Sequence, residues 1–323
     1  MIISRTPFRI SFAGGGSDLP DFYRKFTGAV LSTTIDKYVY LSMHEYFNGQ
    51  QILLKYSKNE LVDSYDQIKH PIIREIFSDY KLTGVDFNSN ADMPAGTGLA
   101  SSSAFTACLI NLCNAYTGKF MTKEVIAKYA CDIEINRLGE PIGKQDQYAC
   151  AIGGMNFIEF YKDESVSVEK IVLSNEKNFE LNSSLLLFYL GTNRVAGDIL
   201  KEQKKNINND YSKIGILSKM VELAYELRED LKKNNIDTFG KILNKGWSLK
   251  KEMASCISNA EIDRYYDLAV KNGAEGGKLV GAGGGGFLLF FCKLENQDRL
   301  RKALSDLKEV SFNFDNTGST IIY

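Results

Sequence analysis

The sequence predicts an α+β protein of two domains, and three observations carry that expectation. The chain has 323 residues, too many for one ordinary core and suited to two of about 150 residues each. Its first half alternates β-branched and aromatic runs with two helical segments, while its second half opens on an apolar strand and continues as amphipathic helices. Between them Ser174-Asn175-Glu176-Lys177-Asn178 interrupts two β segments, which sets the boundary at 175–183 and the domains at 1–180 and 181–323.

In order, Met1 to Phe12 reads as a strand entering Ala13-Gly14-Gly15-Gly16. Ala29 to Tyr46 is a second β segment, and Ile52 to Tyr56, beyond Asn48-Gly49, continues it as a hairpin. Val85 to Asn90 is the strand before Pro94. The helix from Ser101 to Tyr116 is apolar nearly all round, so it is buried, and Gly118 suits its C-terminal cap. Thr122 caps a helix that runs to Leu138 and stops at Gly139 and Pro141. Strands near Met155–Tyr161 and Val166–Leu173 follow, then the strand Leu185–Leu190. Ile214, Leu217, Val221, Ala224 and Leu227 keep helical spacing, and further helices span 238–256 and 260–272. Lys278–Val280 and Phe287–Cys292 flank a glycine run at 281–286, and a helix (296–309) and strand (310–323) close the chain.

Composition excludes several chemistries. Lys plus Arg (39) balances Asp plus Glu (40), so bulk charge argues for neither nucleic acid nor a membrane surface as partner. Six scattered cysteines form no C-x-x-C pair, which reads as buried reduced thiols. The N-terminus lacks the pattern of a secretory signal and no apolar run approaches 18 residues, so a cytoplasmic location is expected. His44 and His70 are the two histidines, read as surface or strand-end residues, and carboxylates are left to carry acid–base work.

The most informative stretch is Pro94-Ala95-Gly96-Thr97-Gly98-Leu99-Ala100-Ser101-Ser102-Ser103. Gly96 and Gly98 allow close backbone approach, and the helix start that follows offers unpaired N–H groups and a positive dipole end. That is an anion site, with phosphate its usual occupant. Capping needs one hydroxyl, and the surplus serines suit phosphate oxygens or a hydrated metal ion. The common nucleotide loop requires Lys after its last glycine, where this chain has Leu99. The run at 281–286 is followed by a strand rather than a helix, against a dinucleotide site.

Two carboxylates stand out. Glu134 falls on the edge of the inner stripe of the 122–138 helix, either bridged to Arg137 or aimed at the phosphate loop as a metal ligand. Asp146 lies in a loop before a small-residue stretch, and Arg9 lies on an apolar strand. Each needs a partner, and a buried Arg9–Asp146 pair satisfies both, as catalytic apparatus or as an ordinary ion pair. Gly14-Gly15-Gly16-Ser17-Asp18 offers hydrogen-bonding groups for a polyhydroxylated ligand, or a cap for a helix from Pro20 to Phe26.

Taken together, Pro7-x-Arg9 with Gly14-Gly15-Gly16-Ser17-Asp18, the 94–103 loop, and Lys278 to Gly286 resemble the three ordered motifs of the GHMP small-molecule kinases. Within that superfamily, the first motif and Gly143-Lys144-Gln145-Asp146-Gln147 are most similar to the D-glycero-D-manno-heptose 7-phosphate kinases. Those enzymes phosphorylate the anomeric hydroxyl and feed heptose into surface polysaccharide. The resemblance implies an N-terminal α+β domain, a ferredoxin-like C-terminal domain and a cleft between them. It implies ATP as co-substrate, bound by the 94–103 loop, with Mg²⁺ on Ser102 and Glu134. Asp146 would be the catalytic base with Arg9 beside it. Gly15, Gly16, Ser17, Asp18, Gly283 and Gly284 would meet the sugar, and Arg194 or Lys144 its phosphate. Galactokinases carry Gly-Glu-His where this chain has Gly14-Gly15-Gly16, which speaks against galactose. A kinase of the L-fucose or galactose type, and a non-catalytic relative that binds sugar and ATP, are the competing readings, and a homodimer is left open.

Overall fold

The computed structural model describes residues 1–191 and 196–323. Two sheets organise them. The first contains β1 (Ile2–Ala13), β2 (Gly28–Glu45), β3 (Ile52–Lys55), β4 (Asn59–Val62), β5 (Val85–Ala91), β6 (Asn156–Phe160) and β7 (Val166–Lys170). The second, ordered β11-β8-β10-β9 and antiparallel throughout, is built from β8 (Leu185–Tyr189), β9 (Gly276–Leu279), β10 (Phe287–Phe291) and β11 (Lys308–Glu309). β12 (Phe314–Asp315) and β13 (Thr320–Ile321) then return to the first sheet, where they pair with β2 and β1. The expected single strand at 310–323 is therefore two short ones, both in the first sheet, while β11 takes the end of the expected 296–309 helix. The 180/181 division falls inside a helix, and β12 and β13 cross it.

In chain order the helices are α1 (Pro20–Tyr23), α2 (Pro71–Tyr80), α3 (Ser101–Tyr116), α4 (Lys123–Cys131), α5 (Gln145–Ile152) and α6 (Asn175–Ser183). α7 (Ala196–Asn209), α8 (Tyr211–Lys232), α9 (Phe239–Lys251), α10 (Ala260–Lys271) and α11 (Leu294–Ala303) follow. α3 packs on β1, β2 and α5. Its Ala104, Ala107, Cys108, Leu109, Ile110 and Leu112 are fully buried, as its all-round apolar sequence requires. A chain of edge-on and tilted rings joins the sheets: Phe12 meets Phe239 at 5.0 Å, and Phe239 meets Phe291 at 5.6 Å. Burial of these large rings fixes the halves on either side of the cleft.

The expected hairpin is absent. β5 lies between β2 and β3, so β3 runs parallel to β5 and pairs antiparallel with β4. β2 changes partners along its length, meeting β6 at Gly28–Ser32 and β5 at Val39–Glu45. Its register with β1 breaks between Pro7 and Arg9. Pro7 has no N–H to give the ladder, so an irregularity costs least there. The freed Arg9 N–H donates instead to the Leu99 carbonyl at 3.2 Å, which ties β1 to the loop before α3.

Candidate active site

Between the two sheets lies a cavity of about 850 Å³, walled on one side by the 95–103 loop and on the other by residues of α9 and β9. Thr97 Oγ1 donates to the Pro94 carbonyl at 2.9 Å and so braces the loop from within. Thr97 and Leu99 are fully buried, which makes them the loop's internal support. Ala95, Gly96, Gly98 and Ala100 to Ser103 line the cavity. Ala100 stands at the N-cap of α3 in a left-handed conformation, φ 66°, and no side chain closes this helix end. The serines are thus free of capping duty, and the helix terminus presents its amides and dipole to an anion.

Gly98 has φ +84°, and a Cβ there would lie 2.2 Å from the Val280 carbonyl oxygen. Gly286 meets Thr97 equally closely. The 281–286 run therefore acts as a backbone platform for the 94–103 loop. Gly281 and Ala282 reach the cavity. Gly283 and Gly284, expected against the sugar, pack on Ile257 instead, with the Gly284 N–H donating to its carbonyl at 2.9 Å. Gly98→Ala is expected to raise the KM for the nucleotide at least tenfold, since left-handed strain of about 1–2 kcal/mol adds to the clash. Steady-state kinetics against nucleotide concentration checks it.

Glu134 does not sit on a regular helix. After Cys131 the helix continues as a π-helical turn, Asp132–Arg137, a wider winding found often at functional sites. It carries Glu134 inward, where the side chain is fully buried. Ser102 Oγ donates to Oε1 at 2.6 Å and Gln147 Nε2 to Oε2 at 2.7 Å. Burial raises the Glu134 pKa above its usual value, against these donors. Arg137, the expected alternative partner, is engaged with Asp132 and Asp79. Glu134 has no cationic partner among the described residues.

Asp146 sits in the first turn of α5 rather than in a loop. Arg9, 4% exposed, binds it as expected, with Nη2 at 2.7 Å and Nε at 2.9 Å from Oδ1. Gln145 Nε2 donates to the same oxygen at 3.2 Å. Three donors thus converge on Oδ1, and Oδ2 has no protein donor among the described residues. Arg9 Nη1 also donates to the Gly98 carbonyl at 2.7 Å, so one guanidinium links the 94–103 loop to the carboxylate.

The Gly14–Asp18 loop divides its work. Ser17 is fully buried and its hydroxyl bonds the Gly14 and Ala29 carbonyls at 2.8 and 3.0 Å. It supports the loop and does not reach the cavity. Gly15, Gly16 and Asp18 do line it. Asp18 accepts from Gly16 N–H at 3.0 Å and Gln145 N–H at 3.2 Å, and α1 has no side-chain cap, so neither Ser17 nor Asp18 caps it. Burial and the nearby Asp146 charge push the Asp18 pKa up. Lys144 points elsewhere: its ammonium binds Glu164 Oε2 at 2.6 Å and stacks over Tyr23. Arg194 lies outside the described residues.

Three cavity residues escaped the sequence reading. His70 is not a surface group; its ring lies between Tyr56 and Phe105, at 5.1 and 5.2 Å between centroids. Lys250 continues the buried α9 stripe of Phe239, Ile242, Leu243 and Trp247, and that helical spacing was the available signal. Lys278 belongs to the third motif but was given no role. Burial lowers the pKa of Lys250 to about 8 and of Lys278 to about 7, with the Lys250 and Arg9 charges adding to the latter. An unfolded Lys278 keeps its proton up to the 10.5 of an ordinary lysine. Between about 7 and 10.5 the unfolded chain therefore holds the extra proton, and stability rises with pH across that window. Below it the burial penalty is full. Lys278→Met is thus expected to stabilise most at pH 6, with the margin shrinking toward pH 10, as followed by thermal midpoints.

Comparison with known proteins agrees with the fold. Residues 67–154 match the GHMP kinases N-terminal domain and residues 227–310 the GHMP kinases C-terminal domain. A D-glycero-alpha-D-manno-heptose 7-phosphate kinase of Campylobacter jejuni is 33% identical over 315 residues, 94% of this chain and 93% of that protein. A galactokinase of Thermosipho africanus is 25% identical, over 94% and 92% of the two chains. The crystal structure of a D-glycero-D-manno-heptose 1-phosphate kinase from Bacteroides thetaiotaomicron superposes with a TM-score of 0.82 at 25% identity, covering 100% of this chain and 99% of that one. The two-sheet architecture, both family matches and the relative of 33% identity lead to one assignment: the chain belongs to the GHMP kinase family and is a phosphotransferase with an alcohol group as acceptor.

Proposed function

We propose that the acceptor is a sugar, D-glycero-D-manno-heptose 7-phosphate, and that the γ-phosphoryl group of ATP passes to its anomeric hydroxyl, giving the 1,7-bisphosphate. The observation that carries this reading is the half-committed state of Asp146. Its Oδ1 is held by Arg9 and Gln145, while the side chain stays 30% exposed to a cavity shared with Asp18 and the phosphate loop. A hydroxyl lodged there would donate its proton to Oδ2 as its oxygen attacks phosphorus in line. Arg9 would orient Asp146 and steady it against Gly98. The sugar-phosphate choice is supported by the Campylobacter relative; the Bacteroides neighbour is named for the 1-phosphate isomer.

Ser102 and Glu134 fit a magnesium ion: one hydroxyl and one buried carboxylate without a cation are the few hard oxygens that ion takes from protein when phosphates supply the rest. Bound there, it would neutralise charge developing on the transferred group. In this reading the α3 terminus cradles the phosphates and the Tyr56–His70–Phe105 cluster borders the base. The protein would work in the cytoplasm, where ATP and sugar phosphates meet. An ADP-release assay over heptose 7-phosphate, heptose 1-phosphate, free heptose, L-fucose and galactose tests it. The 7-phosphate should give the highest kcat/KM, with product phosphorylated at the anomeric carbon by NMR. A higher value on an unphosphorylated hexose, or no ADP release with any acceptor, would reject it.

A further inference from the structure

Lys250, buried in the last turn of α9, and Lys278, half-buried on β9, bring two amine groups to the C-terminal wall of the cavity. Lys278 donates to the Phe12 carbonyl at 3.2 Å. Lys250 Nζ has no hydrogen-bond acceptor among the described residues, although the residue is only 8% exposed. A buried ammonium without an acceptor is costly, and a protein that keeps one in its binding cleft has prepared it for a ligand.

The surroundings say which kind of ligand. Arg9 is spent on Asp146 and Gly98. Asp18 is the nearest carboxylate in electrostatic terms to Lys250, ahead of Asp146, but its two oxygens already accept from Gly16 and Gln145. Three cations (Arg9, Lys250, Lys278) thus face two carboxylates (Asp18, Asp146), and the hydrogens of Lys250 remain unused. A dianion with three acceptor oxygens suits two neighbouring ammonium groups. The position lies on the acceptor side: a Cβ on Gly16 would stand 3.9 Å from Lys250 Nζ, whereas the Glu134 carboxylate bonds Ser102 and Gln147.

We propose that Lys250, backed by Lys278, grips a phosphate monoester carried by the acceptor molecule. This rests on the reading above that the acceptor is a phosphorylated sugar, and it gives the phosphate a site that Lys144, held by Glu164, does not offer. The wall of the C-terminal half thereby sets the distance between the acceptor's phosphate and the hydroxyl placed at Asp146.

The test compares kcat/KM for heptose 7-phosphate and free heptose in wild type, Lys250→Met, Lys250→Arg and Lys278→Met, with the KM for ATP as control. In Lys250→Met the preference for the phosphorylated acceptor should fall roughly 100-fold, the worth of one hydrogen bond to a charged group, while the KM for ATP stays within about twofold. Lys250→Arg should keep most of the preference, and Lys278→Met should lose part of it. Urea unfolding of each variant verifies the fold, and Lys278→Met supplies the measurement if Lys250→Met does not fold. An unchanged preference in the Met variants, or equal losses on both acceptors, overturns the assignment while leaving the heptose reading intact. A wild-type enzyme with no preference for the phosphorylated sugar overturns both.

Discussion

Asp146→Asn is expected to lower kcat by about a thousandfold, within the range that a positioned general base contributes, with the KM for ATP little changed. The amide keeps an oxygen for Arg9 and the shape of the side chain, so the first turn of α5 and the link from Arg9 to Gly98 persist. What it loses is the second oxygen's capacity to take a proton. Arg9 is buried beside it and would be left without an anion, so some stability is lost as well, about 1–3 kcal/mol. Thermal unfolding measured on the same sample separates the two effects. Turnover within tenfold of wild type would remove the base role and leave Asp146 as a structural partner of Arg9.

Glu134→Gln should have an equally large but different signature. The half-saturating magnesium concentration is expected to rise at least tenfold, because even groups that only support a ligand change affinity by about 10- to 100-fold. Stability of the metal-free protein should hold or increase. A fully buried carboxylate without a cation is costly, and the replacing amide can still accept from Ser102. Gln147 can answer by turning its own amide over, since its Oε1 is buried and has no partner, so that this oxygen accepts where Nε2 now donates. Magnesium titrations of turnover, paired with unfolding of the metal-free protein, read both halves. An unchanged titration would count against ligation.

These expectations concern residues that the sequence itself made conspicuous. Arg9 and Asp146 were legible because a lone charge on an apolar segment demands a partner, and the fold joins them across 137 residues of chain. The 94–103 loop was legible because glycine spacing and a helix start are local features. The hairpin failed for the opposite reason. Strand order is decided by β5, which begins only at Val85, well beyond the turn, and nothing in Asn48-Gly49 records its insertion. The π turn at Glu134 is likewise invisible to periodicity, which assumes one winding throughout. Sequence puts Asp146 in a loop because Pro141 and Gly143 mask the helix that starts at Gln145. Ser17 and Gly283 look like ligand groups in sequence, but their backbone neighbours take them, and that competition exists only in three dimensions.

The return of β12 and β13 to the first sheet bears on how the protein is made. β1 and β2 are synthesised well before residues 314–321, yet those residues supply the neighbours at Ser4–Arg5 and Thr34–Ile35. Until translation reaches them, β1 offers a bare edge of unpaired N–H and C=O groups, the kind of surface on which nascent chains associate. Ribosome-tethered chains that stop short of residue 314 should accordingly depend on chaperones, and truncation before residue 314 should cause aggregation rather than mere loss of activity.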